Sequence, residues 1–221
     1  MFIGHFGLGF GAKKAAPVTS LGTLFIACQF ADLLWPLLVL RGYEHVEVQP
    51  GITAMTPLDF VSYPYSHSLL ALCAWGAALG IVYFAVRQSR VSAAVTVALL
   101  VVSHWLLDYL THRRDMPLTP HGLERLGLGL WNSRPGTLAV ELTIFTIGLA
   151  LYLRETTSRD RIGSIGLWGL VALLIAVYAA STFGPPPPNA AAVAWSAHAM
   201  WLVVAWGYWV DNHRIPHRNK G

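Results

Sequence analysis

Apolar letters in this chain fall in long blocks, not in the alternation of a half-buried strand or the narrow stripe of a water-facing helix. Six blocks, 21–40, 68–86, 91–110, 137–153, 165–183 and 190–210, approach the roughly 20 residues that a helix needs to cross hydrocarbon. Backbone polar groups in lipid are satisfied only in helices or closed barrels, and runs of this length predict helices. The expected fold is therefore all-α: a polytopic membrane helix bundle of about six transmembrane helices, forming one integral-membrane domain over 1–221. Its main bundle is expected over 21–153, with a C-terminal helical hairpin over 165–210. The segment before it, 1–17, opens MFIGHFGLGFGA and is too short to span at about 1.5 Å per residue. It is either a re-entrant half-helix beside the first span, which puts His5 near mid-membrane, or an interfacial helix with His5 among the headgroups. Glycines at positions 4, 7, 9 and 11 permit close helix contact.

Composition agrees with this class: 55% of residues are hydrophobic and only 12% charged. Cys28 and Cys73 both lie inside expected spans, so no disulfide framework is implied. The net charge of +4 is divided among short loops and offers no basic patch for nucleic acid. The start lacks the pattern of a cleavable signal, so the first span is read as retained. With the N-terminal side of that span cytoplasmic, one face carries ten basic residues: Lys13, Lys14, Arg87, Arg90, Arg154, Arg159, Arg161, Arg214, Arg218 and Lys220. The other keeps five, Arg41, Arg113, Arg114, Arg125 and Arg134, and the positive-inside rule then places both termini in the cytoplasm.

Against this apolar background, a few ionisable residues stand out, because charge at bilayer depth is costly and usually faces a partner, a metal or a water-filled cavity. The end of the third span reads SHWLLDYLTHRRD. Helical periodicity puts His104, Asp108 and His112 on one face at four-residue steps. An imidazole and a carboxylate one turn apart form either a buried hydrogen bond between helices or a first-row metal pair. Asp32 lies about 12 Å inside the outer end of the first span, with Cys28 read as packing and a kink plausible at Trp35 and Pro36. His67 opens the second span within Ser66-His67-Ser68, Glu141 sits one turn into the fourth, and the sixth carries His198. Under one topology Asp32, His67, His104, Asp108, Glu141 and His198 all fall in the outer half of the bilayer, which suggests a polar chamber open to that side. The outer loop 41–65 is expected to form a lid or a short interfacial helix. The loop 111–136 is long for a bundle connection, and its adjacent Arg113 and Arg114 suit a phosphate or carboxylate. His121 and Glu124 there, like Asp211, His213 and His217 in the tail, are read as solvated.

Taken in order, His5, Asp32, the Ser66-His67-Ser68 element and the His104-x-x-x-Asp108 pair resemble the inner-membrane metal-dependent hydrolases of the LexA-regulated type. That family is distantly similar to zinc-dependent phospholipase C, whose ligands follow the same His, Asp, His, His-x-x-x-Asp order. The resemblance covers roughly residues 1–141 and implies metal ligation by His5, Asp32, His67, His104 and Asp108, with His112 and His198 as possible additions. It implies a bacterial-type inner (plasma) membrane location, and a divalent metal, zinc first, acting on a phospholipid or lipid-linked phosphodiester or ester. Asp32 is then the bridging ligand or general base, Glu141 the alternative proton acceptor, and Arg113 and Arg114 the anchors of an anionic headgroup. The soluble phospholipases add a later His-x-x-x-Glu pair; here Thr137 stands four residues before Glu141, so that pair is incomplete. Two other functional classes compete. A small ion-coupled permease would use the same groups as a cation path, but lacks an inverted repeat and ionisable groups in the cytoplasmic half of the spans. A non-catalytic membrane scaffold needs neither.

Overall fold

In the computed structural model the described residues are 1–88 and 90–217. Arg218 and Lys220, two of the ten basic residues used for orientation, lie outside them. Ten α-helices are described: α1 (Ile3–Gly11), α2 (Leu21–Cys28), α3 (Phe30–Leu40), α4 (Pro64–His67), α5 (Leu69–Arg87), α6 (Val91–Thr111), α7 (Arg134–Glu155), α8 (Arg161–Phe183), α9 (Ala190–Ala197) and α10 (Met200–Asn212). Five helical stretches are long and apolar enough to cross a membrane, or six when α2 and α3 are taken as one bent span. Their outward faces leave Val82, Leu99, Ile147, Ile165 and Leu202 more than half exposed. A surface this apolar around the whole bundle belongs in lipid.

Helix α1 is apolar on every side and lies inside the bundle, with Ile3, His5, Phe6 and Phe10 at 0–1% exposure. Of the two placements open from the sequence, the structure shows the inward one. Glycine makes it possible. A Cβ on Gly148 of α7 would stand 1.8 Å from the Gly7 carbonyl oxygen, and one on Gly7 would stand 2.7 Å from the Phe145 Cα. The two backbones thus touch at a glycine-on-glycine crossing. Phe10 completes the contact, packing edge-on against Phe25, Phe145 and Tyr152.

The chain leaves α1 through a short 3-10 turn, Ala12–Lys14. Lys13 is 2% exposed there, and its Nζ donates to the Thr19 carbonyl at 2.8 Å and to Asp211 Oδ2 at 2.6 Å. Asp211 Oδ1 also accepts from the Tyr152 hydroxyl at 3.0 Å. Asp211 is therefore not the solvated tail residue that its position suggested: a buried ammonium requires a partner, and Asp211 from α10 supplies it. Nearby, Asp160 caps α8 through the Gly163 N–H at 2.9 Å and accepts from His213 Nδ1 at 2.8 Å.

Helices α2 and α3 meet at 56°. The bend lies at Gln29 rather than at Trp35 and Pro36, and Pro36 is accommodated inside α3. Helices α5 and α6 form the expected tight hairpin, turning through Gln88 in the left-handed region (φ 45°). Outside the spans, the loop 41–65, expected to form a lid or a short interfacial helix, is built mainly on a β-hairpin and is helical only at its end, where α4 begins at Pro64. Strands β1 (His45–Val48) and β2 (Leu58–Ser62) pair antiparallel, with Val48 opposite Leu58. Alternating β-branched and aromatic residues, with Pro50 and Gly51 at the turn, explain the hairpin. The loop 111–136 carries a two-residue ladder, β3 (Met116–Pro117) against β4 (Arg125–Leu126). It is fastened to the end of α6 by Leu128 N–H to Tyr109 O at 2.8 Å and Gly129 N–H to His112 O at 2.7 Å. A third ladder joins β5 (Thr156–Ser158) to β6 (Arg214–Pro216).

The glycine crossing makes a prediction. Gly148→Ala is expected to destabilise the protein by about 1–3 kcal/mol or more, the cost of overpacking. Gly11→Ala, whose new Cβ would meet its nearest neighbours at 3.5 Å, is expected to be tolerated. Unfolding curves in detergent read the difference, and equal stability of the two variants would show that α1 does not depend on this contact.

Candidate metal centre

The site is built around Asp108, on the inward face of α6. Asp108, His104 and His112 follow at four-residue steps as the spacing predicts, with His112 just past the last turn. Helix α1 brings His5, α3 brings Asp32 and α4 brings His67. His5 Nε2 stands 3.1 Å from Asp108 Oδ1, which also contacts the Met1 α-amino group. His104 Nε2 stands 3.2 Å from Asp108 Oδ2 and 3.8 Å from Asp32 Oδ1. His67 Nε2 is 3.4 Å from Asp32 Oδ1 and 3.8 Å from Asp108 Oδ2. His112 Nε2 is likewise 3.8 Å from Asp108 Oδ2. The His5 and His104 rings stack at 3.8 Å with 4° between their planes. His5, His67, His104, Asp108 and His112 are all at most 2% exposed, whereas the Asp32 side chain is 24% exposed. The cluster therefore opens at Asp32.

Two groups of potential ligands emerge: His5, His104 and Asp108, and Asp32, His67 and His104. Within each, the ligand atoms lie within 4.8 Å of one another. Such an arrangement either holds itself together as ion pairs, with protonated imidazoles, or holds a cation. The hydrogen bonding of His104 bears on the choice. Its Nδ1 is 2.9 Å from the Cys28 carbonyl oxygen, which only accepts, so Nδ1 carries a hydrogen. The bend at Gln29 turns that carbonyl toward α6. In the neutral ring Nε2 then bears a lone pair, and it has no hydrogen-bond partner among the described residues. A lone pair directed at two carboxylates is repulsive unless a proton or a metal ion lies between them. The donor set, imidazole nitrogen with carboxylate oxygen, suits a divalent first-row metal.

His112 has a similar outer partner. Its Nδ1 is 3.0 Å from Asp115 Oδ1, which also accepts from the Tyr63 hydroxyl at 2.9 Å. Burial, and then the charge of Asp115, push the Tyr63 hydroxyl well above its ordinary pKa, which keeps it a donor. Rings of Phe60 and Trp131 cover His112, with Trp131 at 4.0 Å between centroids. Asp115 was legible only as one acid in a loop, although its three-residue spacing from His112 is the available signal.

Other residues expected at the site have different places. Glu141 Oε2 accepts from the backbone N–H groups of Phe2 at 2.9 Å and Gly4 at 3.2 Å. Phe2 offers α1 no side-chain cap, so this carboxylate from α7 serves as one and holds the helix that carries His5. None of the ion pairs within the cluster includes Glu141. The two adjacent arginines diverge: Arg113 pairs with Asp59 of β2 and, at 3.2 Å, with Asp115 Oδ2, whereas Arg114 is exposed. His198 lies at the break between α9 and α10, and its Nδ1 bonds the Ala194 carbonyl at 2.8 Å within its own helical turn. Comparison with family models, with curated proteins and with solved structures gave no match for this chain.

Proposed function

We propose that this chain is a membrane-embedded metal-dependent hydrolase that cleaves a phospholipid or a lipid-linked phosphodiester or ester at the outer leaflet. The observation that carries the reading is the His104 imidazole, whose hydrogen is held by the Cys28 carbonyl while its free Nε2 points at Asp108 and Asp32. In this reading His5, His67, His104, Asp32 and Asp108 hold one or two divalent ions, zinc first, with His112 at the edge. Such an ion lowers the pKa of a bound water and polarises a phosphoryl or acyl oxygen.

The remaining chemistry falls to the protein's own groups. Asp32, the most exposed member of the cluster at 24% of its side chain, serves as bridging ligand or general base. His5, His104 and Asp108 are shut off from solvent, which keeps their orientation fixed and strengthens electrostatic contacts within the site. Arg114, exposed in the loop after α6, is the arginine of the pair left free to meet an anionic headgroup. A site reached laterally from the outer leaflet would suit a substrate that never leaves the bilayer. The ten-to-five distribution of basic residues supports a bacterial-type plasma-membrane orientation with the Lys13–Lys14 turn on the cytoplasmic side, whereas the Met1 amino group, expected in the cytoplasm, is buried inside the bundle against Asp108.

Orientation is tested by accessibility labelling of single cysteines placed at Glu47 and Glu124. Labelling from the external side is expected, and labelling only from the cytoplasm would overturn the topology. The chemistry is tested with purified protein, zinc and a mixed lipid extract, analysed by mass spectrometry. The parent is expected to bind zinc near stoichiometrically and to generate new lipid products, and chelation should stop the reaction. His104→Ala and Asp108→Ala should lose the metal, and His121→Ala should keep it. Asp32→Asn should lower turnover by about 10²–10⁴-fold, the usual contribution of a general base, with far less effect on lipid affinity. Identical lipid profiles in parent and variants, with cation-driven flux into sealed vesicles in the parent alone, would replace the hydrolase by the permease.

A further inference from the structure

We propose that Glu44, acting through Ser66, is a positioning residue that fixes His67 in the tautomer whose Nε2 lone pair faces the cluster; this rests on the metal reading above. Glu44 lies between α3 and β1, in the outer loop expected to form a lid or a short interfacial helix, and it is only 1% exposed. Its Oε1 accepts from the backbone N–H groups of Tyr65 at 2.8 Å and Ser66 at 2.9 Å. Its Oε2 stands 2.6 Å from Ser66 Oγ, and Ser66 Oγ in turn stands 2.7 Å from His67 Nδ1.

The direction of each bond follows from the donor inventory. An ionised carboxylate can only accept, and a hydroxyl has a single hydrogen, so the Ser66 hydroxyl donates to Glu44. Its oxygen is then left to accept from His67, which requires the hydrogen on Nδ1. The neutral imidazole consequently carries its lone pair on Nε2, which faces Asp32 Oδ1 at 3.4 Å and Asp108 Oδ2 at 3.8 Å. Glu44 thus does for His67 what the Cys28 carbonyl does for His104. Partners behind a metal-ligating histidine set its tautomer and ring orientation in this way. The three bonds accepted by Glu44 also hold α4, whose N-cap residue Tyr63 provides no side-chain cap. The ring of Tyr63, edge-on to His67 at 5.1 Å, closes the remaining side.

Glu44→Gln is a discriminating substitution because it keeps the shape and reverses the polarity. The amide oxygen can still accept from Tyr65 and Ser66, which leaves the amide nitrogen donating to Ser66 Oγ. Ser66 must then donate to His67 Nδ1, and Nε2 acquires the hydrogen. Nitrogen NMR of histidine-labelled, chelator-treated protein is expected to show His67 with its hydrogen on Nδ1 in the parent and on Nε2 in Glu44→Gln. Zinc affinity, measured by competition with a chelator, should fall by about 10–100-fold, the usual cost of losing such a partner. Ser66→Ala should weaken zinc binding in the same direction, and Ser66→Thr should restore it. On a His67→Ala background Glu44→Gln should cause no further loss, which a merely structural role would not predict. An unchanged His67 tautomer in Glu44→Gln, or an equal loss of zinc with His67 already removed, would overturn the proposal. A tautomer reversal in a protein whose parent form binds no zinc would uphold the relay and reject the metal reading alone. Should Glu44→Gln fail to fold, Ser66→Ala and Ser66→Thr carry the same comparison.

Discussion

A carboxylate sealed inside an apolar bundle is the constraint around which this molecule is arranged. Asp108 is 2% exposed on a helix whose outer face meets lipid, and an unpaired charge there would cost several kcal/mol even after relaxation. Compensation comes from four places in the chain: His5 and the Met1 amino group from the first residues, His67 from α4, His104 one turn earlier in α6 and His112 one turn later. Each contributor needs its own support. Helix α1 reaches Asp108 only because Gly7 and Gly148 let two backbones touch, and because Glu141 caps its N-terminal turn. Helix α4 is held by Glu44, and α6 is covered at its end by the folded loop 111–136.

The supports share a direction. His104, His67 and His112 each present Nδ1 to an acceptor outside the cluster, namely the Cys28 carbonyl, Ser66 and Asp115. Each therefore turns Nε2 inward, toward Asp108 Oδ2. With neutral rings the cluster presents nitrogen lone pairs and carboxylate oxygens to a common space, as a cation-binding centre would; with protonated rings it is a network of buried ion pairs. The exposure of the Asp32 side chain, against at most 2% for the other members, marks the side from which the centre could be reached.

Much of this was legible in the sequence where local periodicity dictates geometry. The four-residue ladder of His104, Asp108 and His112 needed only the helical repeat, and the apolar blocks required only the thickness of a bilayer. The depth of His5 was not legible, because an interfacial and an inserted α1 share one local pattern and differ in the contact of Gly7 with Gly148, 141 residues further along the chain. Glu141 and Arg113 were read as chemical groups, but the first is occupied by the α1 backbone and the second by Asp59 and Asp115. Glu44 and Asp115 looked like loop acids. Their burial depends on a hairpin and a two-residue ladder too short to announce themselves in a predominantly helical chain. The bend at Gln29 was displaced from Pro36 for a similar reason: no residue type marks it, and its effect is felt only by His104 across the bundle.

The central claim is that a metal ion occupies the space between the inward-facing imidazole nitrogens and the two carboxylates. Anomalous scattering at the zinc edge, from crystals of the protein grown with zinc, tests it directly. The expected peak lies about 2.0–2.2 Å from His104 Nε2 and from a carboxylate oxygen of Asp108 or Asp32, with Nδ1 of His104 still on the Cys28 carbonyl. Absence of a peak there, with the His104 and His67 Nε2 atoms hydrogen-bonded directly to Asp108 and Asp32, would mean that the cluster is a buried ion-pair network and not a metal centre.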